Sequence, residues 1–131
     1  GGDYGKQAVF LDETLDTAPR IKEMPEWRKL GLQYLSPAMP MLVKNDGGKF
    51  GVSDYAKAAK DNGLKLITWT LERSGPIAKG GGWYFTGIEN HAKKDGDTYK
   101  YLDVLAKDVG IVGIFSDWPA TVTYYANCKG L

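Results

Sequence analysis

Three times along the 131 residues a glycine closes a helix-like stretch and opens a short apolar run that ends on a hydroxyl residue. The copies are Gly31-Leu32-Gln33-Tyr34-Leu35-Ser36, Gly63-Leu64-Lys65-Leu66-Ile67-Thr68 and Gly110-Ile111-Val112-Gly113-Ile114-Phe115-Ser116. Glycine enters the left-handed conformation just past a helix at least steric cost, so each copy reads as helix, stop, strand. Strands separated by helical crossovers lie parallel, which sets the expectation of an α/β fold. In such sheets the chemistry gathers just beyond the carboxyl ends of the strands.

The remaining segments fit the same plan. Gln7 to Leu11 reads as a first strand ending in Asp12-Glu13. Thr17-Ala18-Pro19 is placed to begin a helix through Ile21, Met24 and Trp27 to Leu30, which Pro25 is expected to break or shorten. Ser36-Pro37-Ala38-Met39-Pro40 is a proline-fixed loop, and Asn45-Asp46-Gly47-Gly48 is a turn by composition. Ser53 is a strong N-cap for a helix over Tyr55 to Lys60 that ends at Asn62-Gly63. The clearest strand is Leu64 to Leu71. Arg73-Ser74-Gly75-Pro76 and Gly80-Gly81-Gly82 then mark a long loop, expected to be flexible, that ends in Trp83-Tyr84-Phe85. Asp95-Gly96-Asp97-Thr98 precedes a helix that keeps Leu102, Leu105, Ala106 and Val109 on one face until Gly110. The last strand runs to Phe115, and Pro119 fits the first turn of a final helix through Val122, Tyr125 and Ala126.

The chain is therefore read as one domain, residues 1–131, with about four strand–helix units, half of what a closed eight-unit barrel needs. No segment approaches the length of a membrane span, so a soluble protein is expected. Net charge is +1 with lysines and acids interspersed, so there is no basic face to hold a nucleic-acid backbone. The single cysteine, Cys128, excludes an internal disulfide and a multi-cysteine zinc site. Without an adjacent histidine it is expected to be an unpaired or structural thiol rather than a nucleophile. The opening Gly1-Gly2-Asp3-Tyr4-Gly5 carries no signal peptide and resembles a trimmed start.

Two segments carry a resemblance. Leu66-Ile67-Thr68-Trp69-Thr70-Leu71-Glu72 and Ile114-Phe115-Ser116-Asp117-Trp118-Pro119-Ala120 look like the closing portion of the glycerophosphodiester phosphodiesterase family. There a tryptophan-bearing strand is followed, a helix later, by a last strand ending in Thr/Ser-Asp-x-Pro. The likeness extends over most of Gly31 to Cys128. It implies the carboxyl-terminal half of a TIM barrel that hydrolyses glycerophosphodiesters to an alcohol and glycerol 3-phosphate with a divalent metal, calcium or magnesium. The family's opening signature is His-Arg-Gly, then a metal-binding Glu-x-Asp, then a second histidine, and none of it is in this sequence. The one histidine, His91, sits in Glu89-Asn90-His91-Ala92-Lys93, which matches no family motif. In-line cleavage of a phosphodiester needs a proton donor and acceptor across phosphorus, so this chain alone is expected to be inactive, with no catalytic residue and no metal ligand of its own.

The resemblance places Trp69 against the glycerol portion of the substrate; from their own positions, Arg73 at the strand's end could hold a phosphate bidentately and Trp118 could line the mouth of the site. Each has a plainer reading: a core indole for Trp69, simple packing for Trp118, and an exposed Glu72–Arg73 loop pair. Asp117, ahead of Trp118-Pro119-Ala120, is expected to be a helix N-cap rather than a metal ligand. Asp12-Glu13 is expected to be a solvated turn rather than part of a shared cation site, and Asp95-Gly96-Asp97 a turn and cap rather than a calcium loop. Gly80-Gly81-Gly82 lacks the Lys-Ser/Thr of a nucleotide loop, but its backbone N–H groups could cradle a phosphate in a different barrel enzyme, and a lid is the favoured role.

An open half-barrel exposes an apolar inner face and unpaired edge strands, so pairing with the missing amino-terminal half or with a second copy is expected. The contrasting reading is a non-catalytic binding or interaction module built on the same fold. A periplasmic or secreted location is what the family implies.

Overall fold

A computed structural model describes residues 6–73 and 75–131. The opening glycines, and with them the expected trimmed start, and Ser74 lie outside the described residues. Four strands form one parallel sheet in the order β1 (Val9–Asp12), β2 (Tyr34–Pro37), β5 (Lys65–Thr68), β6 (Gly113–Ile114). Apart from a hairpin that stands outside this sheet, spatial order follows chain order, with Val9 opposite Tyr34, Tyr34 opposite Lys65 and Ile67 opposite Gly113. The crossovers are α1 (Thr17–Lys29), α2 (Asp54–Asp61) and α3 (Thr98–Asp103), and α4 (Pro119–Lys129) follows the last strand.

The expected helix stops are present. Gly31, Gly63 and Gly110 have φ of 92°, 68° and 75°. After α1 the Gly31 N–H reaches the Arg28 carbonyl and the Leu32 N–H reaches Trp27. After α2 the Gly63 N–H reaches Lys60 and the Leu64 N–H reaches Ala59. This paired pattern uses up orphan carbonyls at the helix end and points the chain back along the sheet.

Ser53 caps α2 as expected, accepting the Ala56 N–H at 3.1 Å, and its hydroxyl also donates to the Met41 carbonyl at 2.6 Å. Pro119 occupies the first turn of α4. Asp95-Gly96-Asp97 forms the expected turn, a single 3-10 turn, but Asp97 makes no side-chain cap bond to α3, its carboxylate accepting the Lys93 N–H at 2.8 Å instead.

Several elements differ from expectation. Helix α1 runs unbroken through Pro25. A proline there costs about 3 kcal/mol, but Met24 is fully buried and Ile21 and Trp27 pack on the same core, which outweighs one lost hydrogen bond. The clearest strand stops at Thr68 rather than Leu71, Trp69 making only a bridge to Ala38. The last strand is two residues long. After Asp103 the third helix widens to a π-helix over Val104–Val109, and the N–H groups of Gly110 and Ile111 both reach Leu105. The Asn45–Gly48 turn is the tip of a hairpin, β3 (Val43–Asp46) with β4 (Lys49–Val52), that lies outside the main sheet.

The connection from Arg73 to Asp97, expected to be flexible, is anchored by buried Ile77, Phe85, Ile88 and Ala92 and folds as a series of 3-10 turns. At Gly81 a β-carbon would fall 2.6 Å from the Phe85 ring, so only glycine fits there. The N–H groups of Gly80 and Gly81 donate to Ile77 and Pro76, so the triple glycine is not an open phosphate cradle.

Alternation along the strands gives the sheet two unlike faces. Phe10, Asp12, Leu35, Leu66 and Thr68 face the helices: Phe10 packs on Trp27 with centroids 4.8 Å apart, and Leu35 is fully buried. Asp12 is 2% exposed, which overturns the expected solvated turn. It accepts the Tyr55 hydroxyl at 3.0 Å and pairs with Arg20 at 3.4 Å, joining β1 to α2 and α1. Burial, with the Asp12 charge, holds the Tyr55 phenol far above its usual range. On the opposite face Val9, Leu11 and Phe115 are 46%, 63% and 58% exposed.

Two outcomes follow from this packing. Gly63→Ala, forced into a left-handed conformation, lowers unfolding free energy by about 1 kcal/mol, read as a shifted denaturant midpoint at unchanged slope. The second concerns acid. The Lys100 ammonium, helped by the N–H groups of Lys93 and Lys94, holds Asp97 down at about 2, and Lys107 with the Tyr125 hydroxyl does the same for Asp103. Carboxylates depressed on folding stabilise fully above their ordinary range and lose that contribution as pH falls from about 4 toward 2. Thermal unfolding measured between pH 5 and 2 should fall less steeply in Asp97→Asn than in the native chain.

Candidate functional site

At the carboxyl ends of the parallel strands lies a cavity of about 310 Å³ lined by Leu11, Trp69, Thr70, Arg73, Tyr84, Phe115 and Asp117. Leu11 comes from β1, Trp69 and Thr70 follow β5, Phe115 follows β6, and Tyr84 is brought in by the long connection. Strand alternation aims Leu11, Trp69 and Phe115 at the exposed face of the sheet.

Trp69 is held at both ends. Its indole N–H donates to the Ser36 carbonyl at 2.9 Å, and its own carbonyl accepts the Met39 N–H at 2.9 Å. Trp83 stacks on it at 6.1 Å between centroids and Tyr84 meets it edge-on at 6.2 Å. Thr70 donates its hydroxyl to the Phe115 carbonyl at 3.0 Å, joining the two strand ends. The Ser36 hydroxyl, buried beside this cluster, has no partner among the described residues.

Glu72 and Arg73 do not pair with each other. The Glu72 carboxylate accepts the Ser116 hydroxyl at 2.6 Å and the Asp117 N–H at 3.0 Å. Arg73 donates its Nε–H to the Asp117 carboxylate at 2.8 Å. Ser116 in turn accepts the Trp118 N–H at 3.2 Å. The loops after β5 and β6 are thereby closed into one ring of polar contacts. Arg73 is 68% exposed in this pair and Asp117 40%, so the ion pair contributes at most about 1 kcal/mol. Its effect is geometric. Anchored through Nε, the guanidinium keeps its terminal N–H groups for a second acceptor.

The structure thus brings two of the three expected substrate residues, Trp69 and Arg73, to one cavity. Trp118 does not line it: it is 69% exposed at the N-cap position of α4. Asp117 is not the cap. No side-chain cap bond forms at that helix start, because the carboxylate is turned toward Arg73. The sequence reading missed Leu11 and Phe115 as walls. The signal for them is alternation: Phe10 and Ile114 pack against the core, so their neighbours Leu11 and Phe115 face the other way.

His91 is not on the cavity wall. It stands edge-on to Phe50 at 5.3 Å, and its Nε2 has no partner among the described residues. Among those residues no group of three or more histidine, cysteine or acidic side chains is placed to hold a metal ion. Among the described residues no helix is long and apolar enough to cross a membrane. The cavity can therefore stack a flat or polyol surface on its indole and offer its guanidinium to an oxyanion.

No family model matches the chain. It is 50% identical over 137 residues to a protein of Arthroderma benhamiae named "Extracellular protein", an alignment that takes in 98% of this chain and 56% of that protein. The chain thus spans about half the length of the curated relative it matches.

Replacing Glu72 by alanine removes both acceptors that tie Ser116 and Asp117 to the end of β5. Because the group is partly exposed, the loss expected is about 1 kcal/mol. Glu72→Gln, which keeps one acceptor oxygen, should lose less, as read by chemical denaturation of the two variants side by side.

Proposed function

We propose that this chain is the closing half of a TIM-barrel phosphodiesterase that hydrolyses glycerophosphodiesters to an alcohol and glycerol 3-phosphate. One observation carries the reading: an indole and a guanidinium meet over a cavity at the carboxyl ends of sequentially ordered parallel strands. In a doubly wound sheet the strand order reverses; sequential order is what a section of a barrel has. The exposed apolar face with Leu11 and Phe115 supports it too, since in a closed barrel that face is the packed interior.

In this reading Trp69 supports the glycerol portion and Arg73 holds a phosphoryl oxygen, with Trp118 at the outer margin. The acid, the base and the divalent ion, calcium or magnesium, belong to an amino-terminal half, which also covers the open sheet face and the edges of β1 and β6. The relative's greater length is consistent with such a half, and its name supports a secreted location. A second copy of the chain is the alternative cover. The absence of a histidine from the cavity wall favours one competing reading, a binding module that keeps the fold without the chemistry.

Hydrolysis of glycerophosphocholine, followed with calcium or magnesium, should be undetectable for this chain and present in a longer natural protein that contains it. In that protein Arg73→Ala should raise KM about tenfold or more, the loss of a charge-assisted pair. Activity in the 131-residue chain, or none in the longer protein, would sink the proposal, and the second result would leave the binding module.

A further inference from the structure

A cavity larger than the one at the strand ends lies away from them. A groove of about 600 Å³ runs between the β3–β4 hairpin, the α3–π segment and α4. Its walls are apolar and flat: Phe50, Val104, Tyr99 and Tyr124 line it, Tyr99 and Tyr124 meeting edge-to-face at 5.9 Å. Phe50 is fixed by stacking on Tyr101 at 5.4 Å. This volume is in the range of small-molecule sites, which are mostly apolar with a few polar groups.

The polar groups are of one predominant sign. Lys49, Lys100 and Lys129 line the groove with Asp103. Asp103 is already engaged, by Lys107 at 2.8 Å, Lys129 at 3.5 Å and the Tyr125 hydroxyl at 2.8 Å. Lys100 is paired with Asp97 at 2.8 Å. The groove and its ion-pair partners therefore present four ammonium groups against two carboxylates, and Lys49 makes no ion pair among the described residues. The widening of the helix from α to π falls at Asp103 and Val104, which shapes the groove floor, and such widenings recur at functional sites.

We propose that this groove binds a small amphipathic organic anion, an apolar body lying on Phe50, Tyr99, Tyr124 and Val104 with a single carboxylate or phosphate held at Lys49. The body is either a flat aromatic ring or a short acyl chain. Both satisfy the same walls and the same charge. The site is distinct from the strand-end cavity and does not depend on the phosphodiesterase reading.

Isothermal titration calorimetry of the chain with 2-naphthoate and decanoate at pH 7 tests it, with decanol and decyltrimethylammonium as neutral and cationic controls. The anions should bind at least tenfold more tightly than the controls, and whichever anion binds better identifies the body. Lys49→Glu should weaken binding about tenfold while Lys49→Arg retains it. Cys128 lines the groove and is exposed, so alkylating it with N-ethylmaleimide should block binding without any substitution. Equal affinity for the controls, or binding that survives both Lys49→Glu and alkylation, as it would on the open sheet face, overturns the proposal. So does a longer protein in which Cys128 resists alkylation and the anions no longer bind, because the groove would then be an internal contact.

Discussion

The fold depends on the chain turning sharply at the end of each crossover helix. A helix ends with carbonyls that have no partner, and the next strand must run back beside the previous one. Gly31 and Gly63 meet both demands in one residue each, their left-handed backbone returning N–H groups to Arg28 and Lys60 while Leu32 and Leu64 begin the descent to the sheet. Any residue with a β-carbon strains that turn. The third return, at Gly110, follows a π-helix, and its N–H and that of Ile111 converge on one carbonyl, Leu105.

Parallel strands produced this way divide their side chains between two environments. The helical side is finished: Leu35, Leu66 and Met24 are buried, and the buried carboxylate of Asp12 is compensated by Tyr55 and Arg20. A buried acid without such partners would cost several kcal/mol. The other side exposes Leu11 and Phe115 beside a buried Ser36 hydroxyl that has no partner among the described residues.

The candidate site arises where these two conditions meet. Trp69 leaves the sheet just beyond β5, at the border between the finished and the open face, and is gripped by Ser36 and Met39. Glu72, three residues on, fastens the loop after β6 so that Asp117 can hold Arg73. Trp69 is thus held by backbone groups and Arg73 by a side-chain ion pair, which fixes both before any ligand arrives.

Local backbone chemistry was written in the sequence. The glycine stops, the Ser53 cap, Pro119 at a helix start and the Asp95–Asp97 turn each depend on a residue's own conformational preference or its nearest neighbours, so they appear where expected. What failed or went unseen depended on partners far along the chain. Pro25 stays helical because Met24 and Trp27 are buried beside it, Asp12 is buried because Tyr55, 43 residues on, donates to it, and Asp117 abandons its expected capping role for Arg73, 44 residues before it. The hairpin at Asn45–Gly48 and the anchoring of the long connection by Phe85 likewise required packing to decide them. The sequence alone determined where the crossover helices stop and that the strands launched from those stops run parallel. Only the tertiary structure decided which charges are paired and which side chains share a cavity, because those energies belong to contacts between residues that no local pattern brings together.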